Sequence, residues 1–143
     1  MDRYERTILF VDDDEHFLNY LAESFQQSGY RVITKTNGSA ALSILDGGTS
    51  VDLVVADYVM PGMNGLEFIA AVKKRTLSVQ IVLLTAHCDV DVYFKAMNLG
   101  VYDVTSKPIS MSVLRAIVKT ALIYPVAGGN KIAQGTSDAT AMA

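Results

Sequence analysis

The chain has one cysteine, Cys88, no tryptophan and only three prolines in 143 residues. A single thiol cannot form an internal disulfide, and a structural zinc site built on thiolates is excluded. A reducing, cytoplasmic setting fits that shortage. No uninterrupted apolar run approaches the roughly 20 residues of a membrane helix, and the polar start from Met1 to Arg6 lacks the apolar stretch of a signal peptide. Positive charge is also scarce: 12 Lys and Arg stand against 15 Asp and Glu, for a net charge of −3. Without a broad basic surface, direct nucleic-acid binding is disfavoured. The two histidines, His16 and His87, form no zinc-ligand spacing with Cys88 or the carboxylates.

Apolar residues are plentiful, at 50% of the chain, which suits one domain large enough to bury a core. Runs rich in Val, Ile and Leu alternate with segments of helical period, the pattern of a parallel sheet covered by helices on both faces. Strands are expected at Thr7 to Val11, Arg31 to Thr34, Val51 to Ala56, Gln80 to Leu84 and, more weakly patterned, Tyr102 to Thr105. Phe17, Leu18, Leu21, Ala22 and Phe25 mark a first amphipathic helix, closed by Ser28 and Gly29. A second helix is expected over Ser39 to Leu45. Leu66, Ile69, Ala70 and Val72 mark a third, Val92, Tyr93, Ala96, Met97 and Leu99 a fourth, and Met111 to Tyr124 the last. Pro125 ends that helix, so residues 1–124 are expected to form the domain and 125–143, rich in Gly, Ala, Ser and Thr, a flexible tail or linker.

Five such alternations predict an α/β doubly wound, five-stranded parallel sheet of order 2-1-3-4-5 flanked by five helices. Its ligand crevice then lies beyond the carboxyl ends of strands 1 and 3, where the strand order reverses. Those two strands end in Asp12, Asp13 and Asp14 and in Asp57, and the same edge carries Thr85 after strand 4 and Lys107 after strand 5. Carboxylates crowded in one crevice repel each other and need a cation or a chemical purpose. Asp13 and Asp57 can ligate a hard divalent cation, with Asp12 holding one of its waters. A free oxygen of Asp57 can attack phosphorus, as in aspartyl-phosphate enzymes. Lys107 and the Thr85 hydroxyl can hold phosphoryl oxygens. Asp14 and Glu15 read instead as a helix cap with favourable dipole placement.

The stretches ILFVDDDE, VDLVVADYVMPGMNGLEFI, IVLLTAH and TSKPI, spread over about residues 7 to 122, closely resemble the receiver domains of two-component response regulators. The resemblance implies Asp57 as phosphoacceptor and Asp12 and Asp13 as the acidic pair for Mg2+ (or Mn2+), with the backbone carbonyl of Val59 as a further metal ligand. It implies Thr85 and Lys107 as switch and phosphate-binding residues, with Ala86 beside them, and a cis peptide between Lys107 and Pro108. Val59 and His87 fall where the family tunes the lifetime of the acyl phosphate. Val104 stands where receivers usually carry Phe or Tyr, three residues before the lysine, which places the usual aromatic switch in question; Tyr102 is the aromatic nearby, an even step away on the strand. Cys88 reads as a bystander.

Such a module takes a phosphoryl group from a sensor histidine kinase or a histidine phosphotransfer protein. It catalyses its own phosphorylation and slow dephosphorylation without being an enzyme in the usual sense, and switches a downstream protein target or an effector domain missing from this chain. The kinase-facing surface is expected on the first helix, around Phe17, Leu18 and Leu21 where these are exposed, and on the loop after strand 5. Homodimerisation through the fourth and fifth helices is compatible with the pattern. Two other readings remain. One is a receiver-like binding module that never carries phosphate. The other is a phosphatase of the haloacid dehalogenase type using Asp12 and Asp14, which has His16 where that family would have Thr or Val and leaves Asp57 unexplained.

Overall fold

A computed structural model describes residues 5–75 and 78–124. The expected tail over 125–143 lies outside the described residues. Five strands, β1 Thr7–Val11, β2 Arg31–Lys35, β3 Leu53–Ala56, β4 Gln80–Thr85 and β5 Asp103–Ser106, alternate with five helices, α1 Glu15–Gln27, α2 Gly38–Asp46, α3 Gly65–Arg75, α4 Val90–Asn98 and α5 Met111–Ile123. The strands form one parallel sheet in the order β2-β1-β3-β4-β5. This is the doubly wound order expected from the sequence.

Strand alternation divides the core into two layers. Leu9, Val11, Val54, Ala56, Ile81 and Leu83 face α2, α3 and α4, where Ala41, Phe68, Ile69, Val72, Val92 and Ala96 meet them. Ile8, Phe10, Leu53, Val55, Val82 and Leu84 point the other way, onto Leu18, Leu21 and Phe25 of α1 and Leu114, Val118 and Ala121 of α5. The rings of Phe10, Phe25 and Tyr30 continue this second layer, with centroids 5.2 Å and 5.7 Å apart; tilted pairs of this kind add about 0.5–1.5 kcal/mol to the burial itself.

Helix starts follow their caps. Asp14, Asn37, Asp89 and Ser110 each accept a backbone N–H of the first turn. Asn37 therefore starts α2 at Gly38, one residue before the expected Ser39. At α3, Asn64 and Glu67 exchange reciprocal bonds of 2.9 Å, a capping box.

Several boundaries and faces differ from expectation for physical reasons. Strand β3 begins at Leu53 rather than Val51; just before it, Asp52 donates its N–H to Thr7 O and accepts the Thr7 N–H on its carboxylate, both at 2.9 Å. Strand β5 begins at Asp103, after Tyr102, so Tyr102 packs in the α1/α5 layer while Val104 packs in the α4 layer. The two do not share a face. On α4 only Val92 and Ala96 are buried; Tyr93 and Phe94 face outward with Val90. On α1, Leu18 and Leu21 are core residues, which leaves half-buried Phe17 and exposed Tyr20 as the apolar groups of that expected partner surface.

Candidate functional site

Parallel register brings the carboxylates together. Val11 lies opposite Ala56, so the next residue on each strand, Asp12 and Asp57, reaches the same edge. The Asp57 N–H donates to Val11 O at 3.0 Å and that of Asp12 to Lys35 O at 3.1 Å, which continues the ladders one step past the strands. Both residues are buried, at 4% and 8% exposure, and Asp13 beside them is exposed. Oxygen atoms of Asp12, Asp13 and Asp57 lie within 4.8 Å of one another.

A lysine from the far end of the chain enters this cluster. Lys107 Nζ donates to Asp12 Oδ2 at 2.6 Å and to Asp57 Oδ2 at 3.3 Å. Its fixed approach begins at the backbone, where the Lys107 N–H donates to Thr85 O at 3.0 Å, and the following peptide to Pro108 is cis. Burial pushes the Asp12 carboxyl above its ordinary value, against the opposing pull of Lys107 and of the Asp14 N–H. Burial also works to lower the Lys107 ammonium, but the hydrogen bond and negative charge of Asp12, with the charge of Asp57, outweigh it and hold the amine above its ordinary value.

Second-line contacts orient the carboxylates. The Tyr58 N–H donates to Asp57 Oδ1 at 2.6 Å, and the Asp14 N–H to Asp12 Oδ1 at 3.0 Å. Asp14 spends its own carboxylate on the Phe17 N–H at 3.0 Å. The Asp12/Asp14 phosphatase reading thereby loses its second carboxylate to a helix cap. Gly65, the first residue of α3, proves structural for the site: its N–H donates to Tyr58 O at 2.7 Å, and a Cβ there would stand 2.4 Å from Asp57 O. No alternation or charge pattern signals such an approach; only the lone glycine hints at it.

The other expected positions surround this centre. Thr85 is fully buried at the end of β4, and its Oγ1 accepts the His87 N–H at 3.0 Å. Ala86, His87 and Val59 are exposed at the rim, and Cys88 packs against the α2–α4 layer. Val104 is buried there as well, next to Val101, Val92 and Ala96 in the same cluster, so no aromatic occupies that place. Phe17, expected from the sequence on the partner-facing side of the first helix, lies with its ring centroid 4.7 Å from Lys107 Nζ. Chemically, three carboxylates offer a hard, all-oxygen donor set, which fits Mg2+ or Mn2+ and not zinc.

The model of the response regulator receiver domain family matches residues 8–119. The chain belongs to that family. Among curated relatives this receiver is 29% identical over 116 residues to a cyclic di-GMP phosphodiesterase of Thermotoga maritima, covering 81% of the chain and 31% of the relative. It is 32% identical over 103 residues to the response regulator SaeR of Staphylococcus aureus, covering 72% and 44%. The receiver thus spans less than half the length of these relatives. Among solved structures, the signal receiver domain of an HD domain-containing protein from Pseudomonas fluorescens Pf-5 superposes with a TM-score of 0.78 at 29% identity, covering 82% of this chain and 94% of that one. A response regulator receiver domain from Clostridium thermocellum gives 0.77 at 27% identity, covering 82% and 94%.

As a receiver, the chain is a phosphoacceptor signalling module. Receivers generally bind Mg2+ at an acidic pocket, and response regulator relatives imply dealings with histidine kinases and effectors. No helix among the described residues is long and apolar enough to cross a membrane.

Proposed function

We propose that Asp57 accepts a phosphoryl group from a phosphohistidine of a sensor kinase or phosphotransfer protein, and that this changes the affinity of the chain for a downstream protein or an attached effector domain. The observation that carries this reading is the convergence of Asp12, Asp13, Asp57 and Lys107 at one strand edge. An Asp57 oxygen forms a bond to phosphorus while the bond from phosphorus to the histidine nitrogen breaks. The electron pair stays on that nitrogen, and the product is an acyl phosphate.

Asp12, Asp13, Asp57 and the Val59 carbonyl would hold Mg2+ or Mn2+. Bound there, such an ion would offset the carboxylate repulsion and supply positive charge to the phosphoryl oxygens. Lys107 is paired with Asp12 and Asp57 and turns to a phosphoryl oxygen; the Thr85 hydroxyl, which accepts the His87 N–H, donates to another. Movement of Thr85 is passed through packing of α4 against β5 around Val104, in place of an aromatic rotamer. Val59 and His87, exposed at the rim, set the access of water and so the lifetime of the acyl phosphate.

The test is incubation with Mg2+ and a small phosphodonor such as acetyl phosphate, followed by intact mass. Addition of one phosphoryl group, abolished by a chelator and by Asp57→Asn, supports the reading. Turnover of a phosphate ester that needs Asp12 supports the phosphatase, and the absence of both supports the phosphate-free binding module.

A further inference from the structure

We infer that Phe17 is the positioning residue for Lys107, holding its ammonium over the site through the face of the ring. The inference rests on Lys107 being the phosphate-binding lysine of the proposed function. Lys107 Nζ is engaged by Asp12 at 2.6 Å and Asp57 at 3.3 Å, and the Phe17 ring centroid lies 4.7 Å from the same nitrogen. That distance falls within the range of a cation–π contact, and the Lys107 side chain is only 21% exposed, where such contacts gain strength. Phe17 is itself placed by the cap of α1, since Asp14 Oδ1 accepts its N–H at 3.0 Å. A small pocket of about 10 Å3, close to the size of one water, is lined by Phe17 together with Asp12, Asp57, Leu21 and Leu84.

The chemistry explains why an aromatic group serves here. A fourth carboxylate would add repulsion to a site that already holds three. A hydroxyl or amide would fix the ammonium through a directed hydrogen bond. The ring attracts a cation without a competing charge and without a single preferred acceptor atom, so Lys107 stays at the site yet can turn from a carboxylate to a phosphoryl oxygen. Its apolar bulk also shields the ammonium from bulk water on the α1 side, which strengthens each remaining electrostatic contact.

The test compares wild type, Phe17→Leu and Phe17→Tyr by two readouts. In NMR spectra without metal or phosphodonor, the Lys107 side-chain protons should carry a ring-current displacement that Phe17→Leu removes and Phe17→Tyr keeps, with the remaining amide spectrum unchanged. With saturating Mg2+ and acetyl phosphate, the phosphorylation rate should fall roughly three- to tenfold in Phe17→Leu, the range expected for a lost cation–π contact, and recover in Phe17→Tyr. Should Phe17→Leu fail to fold, Phe17→Met supplies the same comparison. Lys107 resonances indifferent to the substitution, a rate in the leucine variant equal to wild type, or a folded tyrosine variant as slow as the leucine one would each overturn the inference. A wild-type protein that takes up no phosphoryl group would overturn the proposed function instead, and the NMR contrast would still decide the Phe17 contact.

Discussion

The two ends of the sheet both hold polar side chains out of open water, but only one of them relies on a partner that can move. At the amino-terminal end, Asp52 accepts the Thr7 N–H, and Gln80, 4% exposed, donates to the carbonyls of Ala121 and Tyr124 at the end of α5. Those partners are backbone groups that cannot leave. At the carboxyl-terminal end, Asp12 and Asp57 each keep one backbone donor, from Asp14 and Tyr58, but share a single lysine side chain through their other oxygens, and Thr85 Oγ1 accepts one loop N–H. Fixed partners make the first end a clamp. At the second, the backbone donors fix the carboxylates while the lysine can be exchanged for a cation or a phosphoryl group, so function sits where a polar contact can be replaced.

Substitutions at the two ends should therefore diverge. The largest effect is expected for Gly65→Ala, whose Cβ would stand 2.4 Å from Asp57 O and 2.7 Å from Tyr58 Cα, backbone atoms that cannot swing aside. A loss of about 3 kcal/mol in denaturant unfolding is expected, together with impaired phosphorylation, because the strain falls on Asp57 itself. Gln80→Leu keeps the shape but leaves the α5 carbonyls without their donor; unfolding should show a loss of about 1–2 kcal/mol with the phosphorylation rate unchanged. A slower rate in that variant would show that the clamp and the site are coupled.

Asp12→Asn should do the reverse and raise the melting temperature at neutral pH while abolishing phosphorylation. The Asp12 carboxyl is held above its ordinary value mainly by burial, so its charged form costs stability in the folded protein. The favourable contribution of the protonated form is fully present below the unfolded value of 3.8 and is lost as pH rises through the higher folded one. The advantage of the asparagine variant should thus shrink as pH falls through that window, which melting curves across an acidic series would show. Metal binding by the folded state works against this gain, so the comparison is made in chelator.

The smallest effect is expected at the surface, away from both ends. Asp46 pairs with Arg75 at 2.7 Å, and the guanidinium holds its carboxyl below the ordinary value. The stabilisation is present above the unfolded value and is lost as pH falls through the lowered folded one. Asp46→Asn should barely move the melting temperature at neutral pH, and any difference should vanish in high salt.

Much of this architecture is legible in the sequence because strong local signals agree with the fold. The runs Thr7 to Val11 and Leu53 to Ala56 are buried on both faces and read as continuous apolar stretches. The reversal of strand order then brings their terminal carboxylates to one crevice. What escaped depends on packing between distant segments. Tyr93 keeps the helical period of α4 yet faces out, since the packed face of α4 centres on Val92 and Ala96 with half-buried Met97 beside them. Tyr102 looks like a strand residue two steps from Val104, but the strand starts after it and the two enter different layers. The contact of Phe17 with Lys107 joins segments far apart in the sequence and has no local signature, and Gly65 is one helix-start glycine until Asp57 O is placed behind it.

The central claim, that Asp57 is the covalent acceptor, is tested most directly by borohydride trapping. Protein incubated with Mg2+ and acetyl phosphate is reduced, digested and mapped by mass spectrometry. Homoserine at position 57, formed only when phosphodonor and Mg2+ are both present, is the predicted result; an unmodified Asp57, or reduction at Asp12 in its place, would contradict it.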